Sequence, residues 1–175
     1  MPEQDESLFV TLLKLAVFTI VAPGTVTTWL PLFVLFPSLR YRPIEWGWMA
    51  AAAIAVIAVG TAGYFWCALD FAVFGKGTPA PIDMPKVLVV RGPYRYTRNP
   101  MYISVLTVLF GESALFRSVA LLEYAGVAAI CFHLFVRIQE EPTLRRKMGE
   151  AYTKYCEVVP RWIPRIVRRR HIDAV

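Results

Sequence analysis

The sequence predicts an all-α integral membrane protein of about four transmembrane helices, with one cytoplasmic loop and a C-terminal amphipathic helix. Three observations predict it. Of the 175 residues, 57% are hydrophobic and only 18% charged, and the mean hydropathy is +0.48, too apolar for a soluble domain of this length. Apolar runs recur at spanning length. Polar and proline-rich residues gather in a central stretch and the C-terminal part. The chain reads as one domain: 1–74 hold the first two spans, 75–99 the loop, 100–139 a transmembrane hairpin, and 140–175 the C-terminal helix and tail.

Leu8 to Phe36 is apolar apart from Lys14 and several threonines. One straight helix of that length would rise about 43 Å at about 1.5 Å per residue, more than the roughly 30 Å hydrocarbon core. Pro23-Gly24 lies near its middle, so a kinked single span is expected. The acidic start, Met1 to Ser7, lacks the basic region of a secretory signal, so this segment is expected to stay. Trp46 to Leu69 is the second span. Its Gly60 and Gly63 permit close helix approach, and Trp46, Trp48, Tyr64 and Trp66 near its ends read as interface anchors.

Gly75 to Asn99 carries too many prolines and polar groups to lie against lipid. Within it Val87 to Val90 is a short β-branched run, followed by the turn signal Arg91-Gly92-Pro93-Tyr94. Met101–Phe116 and Val119–Val136 form the hairpin around Arg117-Ser118. That hairpin forces the loop and everything after Arg137 onto one membrane face. Ten basic residues from Arg137 to Arg170, with Lys76, Lys86, Arg91, Arg95 and Arg98, outnumber Arg40, Arg42 and Arg117 opposite. The positive-inside rule makes the loop side cytoplasmic. Arg40 and Arg42 run against the rule. A cytoplasmic (inner) membrane location follows, with four spans returning the N-terminus to the same side.

Glu140 to Cys156 has helical amphipathic spacing, with Leu144, Met148, Ala151, Tyr152 and Tyr155 on one face, and is expected to lie on the membrane surface. Net charge is +6, but the basic residues adjoin apolar runs, pointing to anionic lipid headgroups and away from nucleic acid. Cys67, Cys131 and Cys156 lack metal or redox spacing and read as packing residues. His133 stands alone in a span, so no metal site follows. Glu112 and Glu123 lie toward the far interface, and Asp70 ends the second span within reach of the loop. The sequence leaves the oligomeric state open.

Two clusters can carry chemistry. Arg91 to Tyr102 combines a glycine- and proline-shaped backbone with tyrosine ring faces and arginines able to bind a carboxylate. A plain interfacial loop has the same composition. Arg137-Ile-Gln-Glu140-Glu141 sets an arginine at helical spacing from two carboxylates. A helix-end salt bridge has that pattern too. Together, on one membrane face, the clusters suit a zwitterionic amino acid: arginine or backbone N–H for its carboxylate, glutamate for its ammonium.

The string Leu88-Val-Val-Arg-Gly-Pro-Tyr-Arg-Tyr-Thr-Arg-Asn-Pro-Met-Tyr102, followed by Glu140-Glu-Pro-Thr-Leu through Val-Val-Pro-Arg161, resembles the isoprenylcysteine carboxyl methyltransferase family. The related phospholipid N-methyltransferases share a looser form of the pattern. The resemblance covers about Lys86 to Pro164. It implies a membrane methyltransferase using S-adenosylmethionine, with a lipid-like or prenylated acceptor. Cofactor contact is carried onto Gly92, Tyr94, Arg98, Pro100, Tyr102, Glu140 and Glu141, with Val90 and Pro93 beside them in the loop. Asn99 stands where the family has histidine. It can still hydrogen-bond a cofactor but cannot titrate near neutrality. Arg137 and Glu141 are the expected catalytic residues, Arg137 on the acceptor side. Phospholipid N-methylation, a nicotinamide-dependent membrane reductase and a non-enzymatic membrane protein are the alternatives.

Overall fold

The computed structural model describes residues 8–32, 44–74 and 88–165. Arg40, Arg42, the 75–87 half of the loop and the Arg168 to Arg170 tail lie outside them. Among the described residues five α-helices follow in order: α1 Leu8–Gly24, α2 Trp48–Phe74, α3 Pro100–Leu115, α4 Val119–Phe135 and α5 Glu141–Val158. The protein is an all-α integral membrane protein. Val10–Leu32, Trp48–Phe74 and the continuous stretch Val119–Val158 are long and apolar enough to cross a membrane, and Pro100–Leu115 is a shorter apolar helix. Val119–Val158 counts 40 residues, which would rise about 60 Å against a core of about 30 Å. Its apolar first half is therefore the span, and the part beyond Val136 lies outside the hydrocarbon.

α1 runs through Pro23 into a wide π-turn, Thr25–Trp29, and on to Leu32 without reversing. Proline removes a helical N–H donor. Neighbouring threonines take carbonyls of this region, Thr25 Oγ1 donating to Val21 and Thr27 Oγ1 to Pro23 at 2.9 Å. No unsatisfied carbonyl need then face lipid. Over the described residues the segment is one continuous helix with a π-turn after Pro23 and no reversal.

α2 and α3 form the tightest helix pair. Their small residues explain it. A Cβ on Gly60 would lie 2.8 Å from the Ser104 carbonyl, one on Gly63 2.8 Å from Ser104 Oγ, and one on Gly111 2.6 Å from Ile57 Cγ1. The register, Gly63 with Ser104 and Ile57 with Gly111, makes the pair antiparallel. The small-residue face of α2 is thus used within the fold. Gly111→Leu should lower thermal stability by about 1–3 kcal/mol through overpacking, read as the melting temperature in detergent. An unchanged melting temperature would mean the two helices separate easily.

Arg117, at φ 47°, turns α3 into α4 and pairs with Glu45, while Ser118 Oγ accepts from Leu121 N at 3.3 Å. This sets the start of α2 and the hairpin turn at one end of the bundle, and the end of α2, the loop and α5 at the other. Trp46, Trp48 and Trp66 are exposed, as anchors are. Tyr64 is not: it is 6% exposed and its hydroxyl meets Thr19 Oγ1 at 2.9 Å. A polar ring-end inside a bundle is retained by such a partner.

Residues 88–90 form no strand among the described residues. Their side chains still alternate, Val89 packing with Cys67 and Tyr94, and Leu88 and Val90 with Tyr152, Tyr155 and Val159. The extended segment is sandwiched between α2 and α5. α5 departs from expectation in two respects. Gly149, at φ 59°, breaks it into two helical pieces, a conformation glycine tolerates. The face expected on the membrane surface packs instead on the loop.

Candidate functional site

The loop and the segment after α5 are stitched together. Gly92, at φ 51°, opens a single 3-10 turn, Gly92–Arg95, and sits so close to α2 that a Cβ would fall 2.4 Å from Asp70 Oδ2. Asp70 therefore does reach the loop. Arg98 N donates to the Pro160 carbonyl at 2.9 Å, Arg165 N to that of Tyr96 at 2.9 Å, and Tyr155 Oη to that of Tyr94 at 2.7 Å. Thr97 Oγ1 and Asn99 Nδ2 both donate to the Arg161 carbonyl, at 2.9 and 3.0 Å. Residues 159–165 thus form a strap across the loop. Trp162 Nε1 anchors it to α4 by donating to His133 Nδ1 at 3.0 Å, which gives His133 a packing partner.

A cavity of about 710 Å³ opens between the loop and the helices. Tyr94, Arg98, Asn99, Tyr102, Gln139, Glu140 and Thr143 bring polar groups to its lining, and Tyr152 and Tyr155 of α5 line it as well. Its remaining wall is apolar and descends past Tyr64, Val105 and Phe132 to Phe18, Ala22, Pro23 and Val26 of α1. Pro23 and the start of the π-turn are thereby part of the wall. A chamber of this size, mostly apolar with a few convergent polar groups, is the ordinary form of a small-molecule site.

Glu140 accepts a hydrogen bond from Tyr102 Oη at 2.9 Å. Burial raises its pKa, Tyr102 opposes this, and the adjacent Glu141 charge adds to it. Glu141 differs. It is 6% exposed, and it accepts from Arg98 Nη1 at 3.0 Å, from Arg161 Nε at 2.6 Å and from Arg161 Nη2 at 2.9 Å. Burial pushes its pKa up, but the Arg161 bonds and the Arg98 charge prevail, and the net shift is downward. The wide turn Val136–Glu140 rotates the two neighbouring carboxylates apart, one to the cavity and one to the arginines. Burial also raises the hydroxyl pKa of Tyr94 and Tyr155, so both stay neutral donors.

Of the residues singled out from sequence, Tyr94, Arg98, Asn99, Tyr102 and Glu140 line the cavity. Val90, Gly92, Pro93, Pro100 and Glu141 shape or brace that wall without lining it, and Arg137 is exposed on the π-turn, away from the lining. Sequence reasoning missed Arg161, Gln139, Thr143, Tyr155 and the α1 residues. Arg161 had a signal, since it follows a helix between two prolines at the end of the second motif. The α1 residues had none beyond hydrophobicity.

Helices and chamber define a polytopic membrane protein with a candidate binding cavity toward one end of its bundle. The profile of the phospholipid methyltransferase family matches residues 48–151, more than half of the chain, and the chain belongs to that family. It is also similar to the nickel-cobalt-cadmium resistance protein NccN of Alcaligenes xylosoxydans xylosoxydans, 27% identical over 123 residues, covering 68% of this chain and 53% of that protein. The chain thus spans about half the length of that relative. No solved structure matches.

Proposed function

We propose that the protein is an S-adenosylmethionine-dependent membrane methyltransferase acting on a lipid-like acceptor, phospholipid or prenylated. The observation that supports it most is a chamber in which a buried carboxylate and a buried guanidinium meet an aromatic, otherwise apolar wall. The residues present fit the cofactor. Glu140 offers a carboxylate to an ammonium, and Tyr102 fixes its orientation. Arg98 lines the chamber and its buried Nε has no partner among the described residues, so it can receive a carboxylate. Tyr94, Tyr152 and Tyr155 suit adenine and a sulfonium. Bound S-adenosylmethionine supplies an electrophilic methyl group.

The chain's own part is to bind, orient and exclude water. The strap braces the loop that carries Arg98 and Asn99, and the apolar arm toward α1 lets a hydrocarbon chain enter from the bilayer. For an amine acceptor, Glu140 is the carboxylate placed to take a proton; a carboxylate acceptor needs none. Glu141, held by two arginines, acts in this reading by positioning Arg98. The charge pattern favours the inner membrane with the site facing the cytoplasm. Exposed Arg145, Arg146 and Lys154 on α5 suit anionic headgroups.

Calorimetry with S-adenosylhomocysteine tests this. Wild-type protein in detergent should bind it, and Glu140→Gln should weaken binding about 10- to 100-fold, the loss of one charge-assisted bond. Affinity should rise with pH, because an ammonium needs Glu140 ionised and burial keeps it protonated above the usual glutamate range. Over the same interval the Glu140 contribution to folding stability falls, since the native state holds the proton that the unfolded chain has lost. The rise in affinity should vanish in Glu140→Gln. Absence of binding to the wild-type protein would sink the cofactor assignment.

A further inference from the structure

Arg161 stands outside the chamber, on the strap, with its side chain 31% exposed. Its guanidinium nonetheless covers both oxygens of Glu141, Nε on Oε1 at 2.6 Å and Nη2 on Oε2 at 2.9 Å. This is the fork geometry that only arginine provides. Arg98 reaches the same carboxylate with one nitrogen, Nη1 on Oε1 at 3.0 Å, and that nitrogen also meets Cys156 Sγ at 2.8 Å.

Two guanidinium groups therefore share one carboxylate, leaving one positive charge in excess. The excess belongs to Arg98. Arg161 has solvent and a complete fork, whereas the Arg98 side chain is 10% exposed with a buried Nε that has no partner among the described residues. The Arg161 backbone is equally fixed, its carbonyl accepting from Thr97 and Asn99.

We propose that Arg161 is a positioning residue: by occupying both oxygens of Glu141 it keeps Arg98 on a single bond there and leaves the rest of that guanidinium for the carboxylate of an amino-acid ligand in the chamber. The inference rests on the cofactor reading above. Without Arg161, Glu141 turns both oxygens to Arg98, the two close on each other, and the anion subsite is lost. The adenosine end of the chamber is untouched.

Two ligands separate these ends. S-adenosylhomocysteine carries the carboxylate; 5′-methylthioadenosine has the same adenosine thioether without the amino acid. Calorimetry on the 175-residue chain should show Arg161→Gln weakening the first about 10- to 100-fold, the scale of one lost charged bond, and leaving the second within about twofold. Arg161→Lys should show most of the same selective loss, because an ammonium cannot cover both oxygens. Equal losses for the two compounds would mean a merely structural role and would overturn the proposal, as would no loss for either. Any drop in melting temperature leaves this comparison intact, since both affinities come from one preparation. A wild-type protein that binds neither compound overturns the cofactor reading together with this inference; a wild-type protein that binds both, with their ratio unchanged in Arg161→Gln, overturns the positioning role alone.

Discussion

Glu141→Ala is expected to lower stability in detergent by about 3–5 kcal/mol, the scale for removing one partner of a buried ion pair, and to abolish S-adenosylhomocysteine binding. The carboxylate is the common partner of a loop arginine and a strap arginine, and its loss leaves Arg98 buried without an ion-pair counter-charge. The strap keeps its backbone bonds to Arg98 and Tyr96, so the spans should remain helical while the polar end loosens. Thermal unfolding followed by near- and far-ultraviolet circular dichroism distinguishes the two. Equal melting of variant and wild type would show that the arginines are satisfied by water.

The same carboxylate sets an acid limit. Because its native pKa lies below the ordinary value, the stabilisation is complete above the usual glutamate pKa of about 4.3 and is lost as pH falls through the lower native value. The wild-type melting temperature should therefore fall in acid more steeply than that of Glu141→Gln.

Gly92→Ala is the second large effect. At φ 51° an alanine costs about 1–2 kcal/mol from backbone sterics alone, and its Cβ would also fall 2.4 Å from Asp70 Oδ2 and 2.9 Å from Trp66 Nε1. The turn must move off α2 and take Tyr94 with it, so ligand affinity and melting temperature should drop together. Adding Asp70→Gly should restore only the part due to the Asp70 contact and leave the parts due to Trp66 and to φ. Full recovery in the double variant would show that the backbone bears no strain there.

The spans were legible because length and hydrophobicity alone decide them, and the hairpin because Arg117-Ser118 interrupts two apolar runs too briefly for anything but a turn. The shared face of the two motifs followed from that hairpin. Tyr64 was misread because an aromatic near a helix end is the same letter whether it meets lipid or Thr19. The two-piece α5 was missed because amphipathic spacing continues across Gly149 and only φ reveals the break. The division of labour between Glu140 and Glu141 was hidden for a related reason. Adjacent carboxylates are equivalent in sequence, and the π-turn before them, which sends one to Tyr102 and the other to the arginines, has no signature there. Arg161 needed the strap's path.

The strap also dictates an order of assembly. Each partner of Glu141 lies far from it along the chain, Arg98 43 residues before and Arg161 20 residues after. During synthesis the apolar helices reach the bilayer first, while Glu141 and Arg98 await a residue the ribosome has yet to add. The chamber's walls are therefore laid within the membrane before the strap that braces its loop has been made.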